Sequence, residues 1–128
     1  MVIDHATLIA ELAEQLAPVL RNSPDGVYLW LDEAHKVCNR RLAEMFGYSV
    51  EEWCAAPTFL DTFVAEDDRS LYSWNYHNRV AGLAFPVTFR FHGLRKDGST
   101  FPAETDMIPL SWRGHAVAYH FVRRLEGT

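Results

Sequence analysis

The stretch that most constrains the fold runs from residue 85 to residue 107 and reads as two strands joined by a tight turn. Its first half alternates large apolar with smaller or polar residues, the apolar ones being Phe85, Val87, Phe89 and Phe91. Successive side chains of a strand point to opposite faces of a sheet, so one face of this hairpin is apolar. Asp97-Gly98 favours the turn because glycine adopts positive φ without a Cβ clash. We expect this hairpin to form the central wall of a sheet whose apolar face other elements cover.

Composition narrows the class of protein. The chain has 128 residues, 48% of them apolar, which suits one domain with a single core. A net charge of −5 gives no basic surface for nucleic acid, and we expect no such partner. No apolar run approaches the roughly 20 residues of a membrane span, and the first residues lack the pattern of a secretory signal. We therefore expect a cytoplasmic protein with no membrane contact within these residues.

The N-terminal segment reads as an amphipathic helix. Asp4 is a plausible N-cap, and leucines recur at helical spacing at Leu8, Leu12, Leu16 and Leu20. Pro18 should end or kink this helix near Ala17. The leucine stripe could pack on its own domain or form a dimer contact, and both interpretations stay open. We expect two parts of the chain: residues 1–21 as this helix, used for dimerisation or packing, and residues 22–126 as the main domain.

The remaining elements predict an α+β fold. Apolar runs at residues 27–31 and 36–38 predict a second hairpin, and alternation at 115–123 predicts a last strand. Between them, Asn39 can cap one helix, and Ser49 with Glu52 forms a capping box at the next. A longer helix is expected over 69–81. Strands at both ends of the domain with helices between them indicate one antiparallel sheet covered by the helices.

Five short motifs then resemble the PAS domain family. They are Asn22-Ser23-Pro24-Asp25-Gly26, Asn39, Gly47-Tyr48-Ser49 with Glu51-Glu52, Ala65-Glu66-Asp67-Asp68-Arg69, and Arg95-Lys96-Asp97-Gly98-Ser99. The resemblance spans residues 23–125. It implies a five-stranded antiparallel sheet with short helices over one face. It also implies a sensory signal-transduction module, of the kind found in two-component systems, that dimerises and relays to an output domain or partner protein.

Aromatic residues are the candidates for a small-molecule pocket between helices and sheet. Aromatic walls with few polar groups suit an apolar ligand, although the same residues could simply fill the core. The ligand-binding candidates are Tyr28, Trp30, Trp53, Phe63, Trp74, Phe89, Phe91 and Tyr119.

Homodimerisation is expected through the N-terminal stripe and the outer face of the last strand. Small side chains on that strand would let a helix or a second sheet approach. The candidates are Leu8, Leu12, Leu16, Ala118, His120 and Val122.

We expect no bound cofactor, and the resemblance leaves haem or non-covalent flavin as alternatives. His77 is the one possible haem ligand, with Arg90 as a possible counterpart of the family's gas-facing arginine. The flavin-reactive cysteine motif is absent around residues 55–60, and Cys54 reads as a small half-buried residue. The histidines show no metal-ligand spacing, so no metal site is expected.

No catalytic signature is present, so we expect no enzyme activity, with a small enzyme using the same pocket as a further alternative. Arg124 stands where many PAS domains carry the aspartate that couples the sheet to an output helix.

Overall fold

The computed structural model describes residues 3–80 and 85–125 as one α+β unit. The helices are α1 (His5–Gln15), α2 (Ala17–Asn22), α3 (Arg40–Met45), α4 (Val50–Ala55), α5 (Phe59–Phe63) and α6 (Arg69–Asn75). A 3₁₀ turn (Glu66–Asp68) precedes α6 and a π-helical turn (Tyr76–Val80) follows it. The strands are β1 (Gly26–Asp32), β2 (His35–Cys38), β3 (Val87–Leu94), β4 (Thr100–Trp112) and β5 (His115–Arg124). Within the described ranges no helix has the length and apolar character needed to cross a membrane.

The five strands form one antiparallel sheet in the order β2-β1-β5-β4-β3. The last strand therefore lies at the centre, between the N-terminal hairpin and the β3–β4 hairpin. The prediction that the β3–β4 hairpin forms the central wall is wrong, because β3 is an edge strand. Strand β5 pairs with both β1 and β4, so it takes the central position and the β3–β4 hairpin lies at one side of the sheet.

Local sequence signals define the ends of several elements as predicted. Asp4, Asn39 and Ser49 each accept a hydrogen bond from a backbone N–H in the first turn of their helix. The Glu52 side chain completes the capping box with Ser49. At the β3–β4 turn Gly98 has a φ of +90°, a conformation that glycine adopts without strain.

The N-terminal helix packs on the sheet of its own chain. Helix α1 ends before Pro18, and α2 begins at Ala17 with the proline in its first turn. Leu8 and Leu12 are almost fully buried. With Ile9 they form a cluster against the outer sheet face, which contributes Leu29, Leu31 and Val117. The sheet is thus covered on both faces, by α1 outside and by α3 to α6 inside.

The inner face holds the larger, aromatic core. Trp53 of α4 stacks on Phe63 of α5 with ring centroids 4.8 Å apart. Phe46 packs edge-on against Phe101 of β4, and Phe91 of β3 packs against Tyr72 of α6. These contacts place α3 to α6 across β1, β5, β4 and β3.

The predicted faces of β5 are wrong. Tyr28 pairs with His120 and Trp30 pairs with Ala118 across the β1–β5 ladder, and cross-strand partners share a face. His120, Ala118 and also Val122 therefore lie on the inner face, buried within the domain rather than at a dimer surface. Tyr119 lies on the outer face beside the α1 cluster, with Phe121 next to it.

The helix predicted over 69–81 is shorter and less regular. Helix α6 ends at Asn75 and continues as the π-helical turn, while residue 81 lies outside the described residues. Asp68 precedes α6 without a side-chain cap, because its carboxylate accepts hydrogen bonds from the backbone and ring of His92. The 3₁₀ turn is thereby tied to β3.

We predict that Asn39→Ala lowers the free energy of unfolding by about 2 to 4 kcal/mol. The Asn39 Oδ1 atom accepts from the buried N–H groups of Val27 and Leu42, and its Nδ2 donates to the Asp25 carbonyl. Ser49→Ala, at an exposed cap, should cost only about 1 kcal/mol. Urea denaturation measures both losses, and equal losses would contradict the role given to Asn39.

Leu12→Ala should lower the unfolding free energy by about 2 to 4 kcal/mol at every protein concentration, because Leu12 packs inside its own chain. Leu71→Ala, at an exposed leucine, should change it by less than about 0.5 kcal/mol. Chemical denaturation over a hundredfold dilution series is the measurement. A Leu12→Ala loss that vanishes on dilution would place the stripe at a dimer contact instead.

Candidate functional site

A cavity of about 160 Å³ lies between the inner sheet face and helices α5 and α6. Strands β1 and β5 form its floor, and α5, α6 and the π-helical turn form its walls. Its lining residues are Tyr28, Trp30, Glu33, Phe59, Leu60, Tyr72, Ser73, Tyr76, His77, Ala118 and His120. Most of them are aromatic or apolar, as is usual for a site that binds a small organic molecule.

Three aromatic rings are stacked at one end of the cavity. The Tyr28 and His120 rings are nearly parallel, at 7°, with centroids 4.1 Å apart. The Tyr72 ring is also nearly parallel to the His120 ring, with the ring planes at 15° and the centroids 6.1 Å apart. The hydroxyl groups of Tyr28 and Tyr72 share a hydrogen bond. Burial raises the pKa of both tyrosines, so both stay neutral at physiological pH.

His120 is the distinctive polar group of the site. Its side chain is almost fully buried, and burial lowers its pKa from 6.5 to about 3, so the imidazole is neutral at pH 7. Neither ring nitrogen makes a well-formed hydrogen bond with the described residues, although the backbone of Ala118 lies close enough to favour the protonated ring weakly. Trp30 Nε1 also has no hydrogen-bond partner among the described residues. Buried polar groups are nearly always hydrogen-bonded, so these atoms mark a place for a bound polar group or water.

The mouth of the cavity carries further polar groups. The Glu33 carboxylate accepts a hydrogen bond of 2.9 Å from the backbone N–H of Phe59, which joins the β1–β2 turn to α5. Tyr76 packs edge-on against Trp30 with centroids 5.0 Å apart. His77 is exposed, and its Nδ1 lies 2.8 Å from the Ser73 carbonyl oxygen, to which it donates as N–H. Glu33 is the acidic residue of the lining, and the Lys36 ammonium lies next to it, donating to the Glu33 carbonyl oxygen.

The structure brings only part of the predicted pocket set to the cavity. Tyr28 and Trp30 line it. Trp53 and Phe63 lie deeper in the core, and Phe89 and Phe91 pack behind Tyr72. Trp74 lies on the solvent side of α6, with 54% of its surface exposed. Tyr119 is on the opposite face of the sheet, which corrects its predicted place.

Sequence reasoning missed several lining residues. Tyr72 and Tyr76 are four residues apart and share a helix face, but a second partly aromatic face containing Leu71 and Trp74 made the choice ambiguous. The sequence places His120 on the outer face with Ala118 and Val122, because these residues alternate with the apolar Val117, Tyr119 and Phe121. The signal that could have corrected this is the pairing of β5 with β1, which sequence alternation alone does not supply.

The cavity is too small for haem or flavin. The volume of about 160 Å³ lies below the roughly 300 to 1,000 Å³ usual for cofactor-sized sites. His77, the predicted haem ligand, lines the cavity, and its Nδ1 donates to the Ser73 carbonyl oxygen. Arg90 points away from the cavity, with its guanidinium 3.5 Å from the Glu104 carboxylate. Cys54 is outside the lining set; the neighbouring Cys38 thiol lowers its pKa to about 7. No residue of the cavity is therefore placed as a covalent flavin anchor.

A larger concavity of about 1,030 Å³ lies on the surface beside α2 and α3. Its charged lining includes Arg21, Arg40, Arg41 and Arg124, and Arg40 pairs with Glu44 within it. This groove is open to water, which can satisfy its polar groups. The smaller cavity is the better candidate for a small molecule because it is less open to water and contains buried nitrogens without a well-formed hydrogen bond.

The family comparison matches the described fold. The model of the PAS fold matches residues 14–124 of this chain. A search of curated proteins gave no significant match.

Solved structures with the same fold include two PAS domains and a LOV protein. The PAS domain of an HTR-like protein from Haloarcula marismortui has 19% identity and a TM-score of 0.66, and the alignment covers 91% of this chain and 94% of that one. A PAS domain from a two-component sensor histidine kinase has 20% identity and a TM-score of 0.68, with 91% and 99% covered. The LOV protein of Rhodobacter sphaeroides has 16% identity and a TM-score of 0.70, with 91% and 68% covered. At these identities the likeness concerns the fold.

The buried neutral His120 predicts a pH dependence of stability. Between its folded pKa of about 3 and the unfolded value of 6.5 the unfolded state binds more protons, so stability falls as pH falls below 6.5. From pH 7 to pH 5 the wild type should lose about 2 kcal/mol more than His120→Phe, which removes this group. Urea denaturation at the two pH values measures the difference. Equal losses would show that His120 is accessible to protons in the folded state.

Proposed function

This chain belongs to the PAS fold family, and we propose that it is a sensory module whose input is a small neutral ring compound bound beside His120. PAS domains are sensory and signalling modules, so membership supports signal transduction as the general role. The chemical class of the ligand is proposed in addition to this general role. It is supported by the size, lining and polar groups of the cavity.

The observation that carries this proposal is the pair of buried nitrogens on His120, neither of which makes a well-formed hydrogen bond with the described residues. A neutral imidazole has one N–H donor and one acceptor nitrogen, so it can bind a hydroxyl or amide group of a ligand. A dry apolar cavity of about 150 Å³ accommodates benzene in another protein, so the similar volume here suits a single ring. Stacked aromatic walls at Tyr28 and Tyr72 would pack against such a ring.

The π-helical turn is the element through which a bound ligand would change the structure. Tyr76 and His77 belong to this turn, and both line the cavity. Single π-helical turns are rare and often occur at functional sites. A ligand beside Tyr76 would alter the packing of this turn on Trp30, and we propose that this is the first step of signal relay.

The enzyme alternative is less well supported by the contacts. Ser73 Oγ and His77 Nδ1 are 3.4 Å apart, but the same nitrogen donates to the Ser73 carbonyl oxygen at 2.8 Å. A nitrogen that already carries a proton cannot accept one from a serine hydroxyl. We therefore retain a non-enzymatic sensor as the proposal.

Relay to an output domain or partner through a homodimer is part of the same proposal. Leu8 and Leu12 are buried against the sheet of their own chain. Leu16, between α1 and α2, is only half-buried. A second copy would contact this end of the helical segment rather than the full stripe.

Phenol and toluene provide a matched test, since they have similar size and differ in the hydroxyl group. We predict that phenol binds about tenfold more tightly, because a hydrogen bond to His120 contributes about 1 to 1.5 kcal/mol. Isothermal titration calorimetry of the 128-residue chain measures both affinities.

Ala118→Leu should abolish phenol binding by filling the cavity, whereas Ala116→Leu, on the same strand outside the cavity lining, should leave it unchanged. Equal affinities for phenol and toluene, or phenol binding that survives Ala118→Leu, would contradict the proposed site. Circular dichroism of both variants verifies that they are folded.

A further inference from the structure

A second cluster of polar side chains lies on the outer side of the domain, away from the cavity. His5 is the first residue of α1, Asp32 ends β1, and His35 begins β2. The docking of α1 against the outer sheet face brings these three residues together, although 27 positions separate His5 from Asp32. The spacing along the chain gives no hint of this cluster, which is why the histidines showed no metal-binding pattern in the sequence.

The geometry of the cluster centres on one carboxylate. Asp32 Oδ1 lies 2.7 Å from His35 Nδ1, and Asp32 Oδ2 is hydrogen-bonded to His5 Nδ1. One possible ligand atom from each of the three residues lies within 4.8 Å of the other two. All three side chains are half-buried, so the cluster is held in place yet reachable from solvent.

A third imidazole lies next to the cluster. The ring of His115, the first residue of β5, packs edge-on against the His5 ring with centroids 5.3 Å apart. The His5 and His35 rings are also perpendicular, with centroids 5.8 Å apart. Three histidines and one aspartate thus converge from α1, β1, β2 and β5.

We propose that His5, Asp32 and His35 form a binding site for a divalent transition-metal ion, with Zn²⁺ as the best match. Imidazole nitrogen and carboxylate oxygen are regular zinc ligands, and three protein ligands leave a fourth position for water or another group. The nitrogen donors argue against Ca²⁺ and Mg²⁺, which favour oxygen. His115 packs edge-on against the His5 ring and is placed to orient that ring.

Metal binding here would fasten α1 to the sheet. Each neutral imidazole must offer a lone pair to the ion, so a ring whose Nδ1–H now donates to Asp32 either moves that proton to Nε2 or binds the ion through Nε2. The ion would then join the start of α1 to the β1–β2 turn. This role is independent of the cavity, since none of the three ligands lines it.

His92 provides the matched control. It also pairs with a carboxylate, at 2.9 Å from Asp68 Oδ2, and it is exposed. No second imidazole belongs to that pair among the contacts of the described residues. A single histidine–aspartate pair should bind zinc much more weakly than the three-residue cluster.

The test is a Zn²⁺ titration of the chain without an affinity tag, followed by calorimetry. We expect one ion per chain in the wild type and in His92→Gln. Loss of even an outer-shell partner of a metal ligand weakens binding by about 10- to 100-fold, so His5→Gln and His35→Gln should each weaken it by at least about tenfold. Zn²⁺ should also raise the melting temperature of the wild type and of His92→Gln, but not of the two ligand variants.

No Zn²⁺ binding by the wild type, or wild-type affinity in His5→Gln and His35→Gln, would overturn the proposal. The second result would place the ion elsewhere, for instance at the Cys38 and Cys54 thiols. His35→Gln retains the contact between His5 and Asp32 that helps to dock α1. Circular dichroism shows whether each variant folds. If His5→Gln does not fold, the zinc affinity of His35→Gln alone tests the proposal.

Discussion

The stacking of Tyr28 on His120 is the contact around which the domain is arranged. It joins β1 to the central strand β5 on the inner face, where the two residues are direct cross-strand partners. Tyr72 extends the stack from the sheet to α6 through its hydrogen bond with Tyr28. One chain of aromatic contacts therefore sets the distance between sheet and helices, and the space left beside it is the cavity.

This arrangement combines a well-packed core with a locally unsatisfied site. Trp53 and Phe63 fill the interior behind Tyr28, as expected of a close-packed domain, although the Trp53 Nε1 also has no hydrogen-bond partner among the described residues. Next to them, His120 is held neutral by burial, and neither of its ring nitrogens makes a well-formed hydrogen bond with the described residues. A buried polar group without a partner costs free energy, and a ligand that supplies the missing hydrogen bond recovers it. In a PAS domain, the free energy gained when a ligand makes this hydrogen bond can be coupled to signalling.

The sequence predicts correctly the features that depend on neighbouring residues. It does not predict those that depend on how distant segments pair or pack. The caps at Asn39 and Ser49 depend on a few neighbouring residues, and they form as predicted. The faces of β5 depend on its pairing with β1, and both faces are covered, so apolar alternation could not assign His120 or Tyr119. The clustering of His5 with residues of the β1–β2 turn depends on how α1 docks, which no local pattern encodes.

The most direct test of the account is an intermolecular nuclear Overhauser experiment on the chain with bound phenol. If the cavity beside His120 is the ligand site, the ring protons of phenol should show contacts with the Ala118 methyl group and the ring protons of Tyr28 and Tyr72. Contacts confined to the surface groove near Arg40 and Arg124, with none to Ala118, would contradict it.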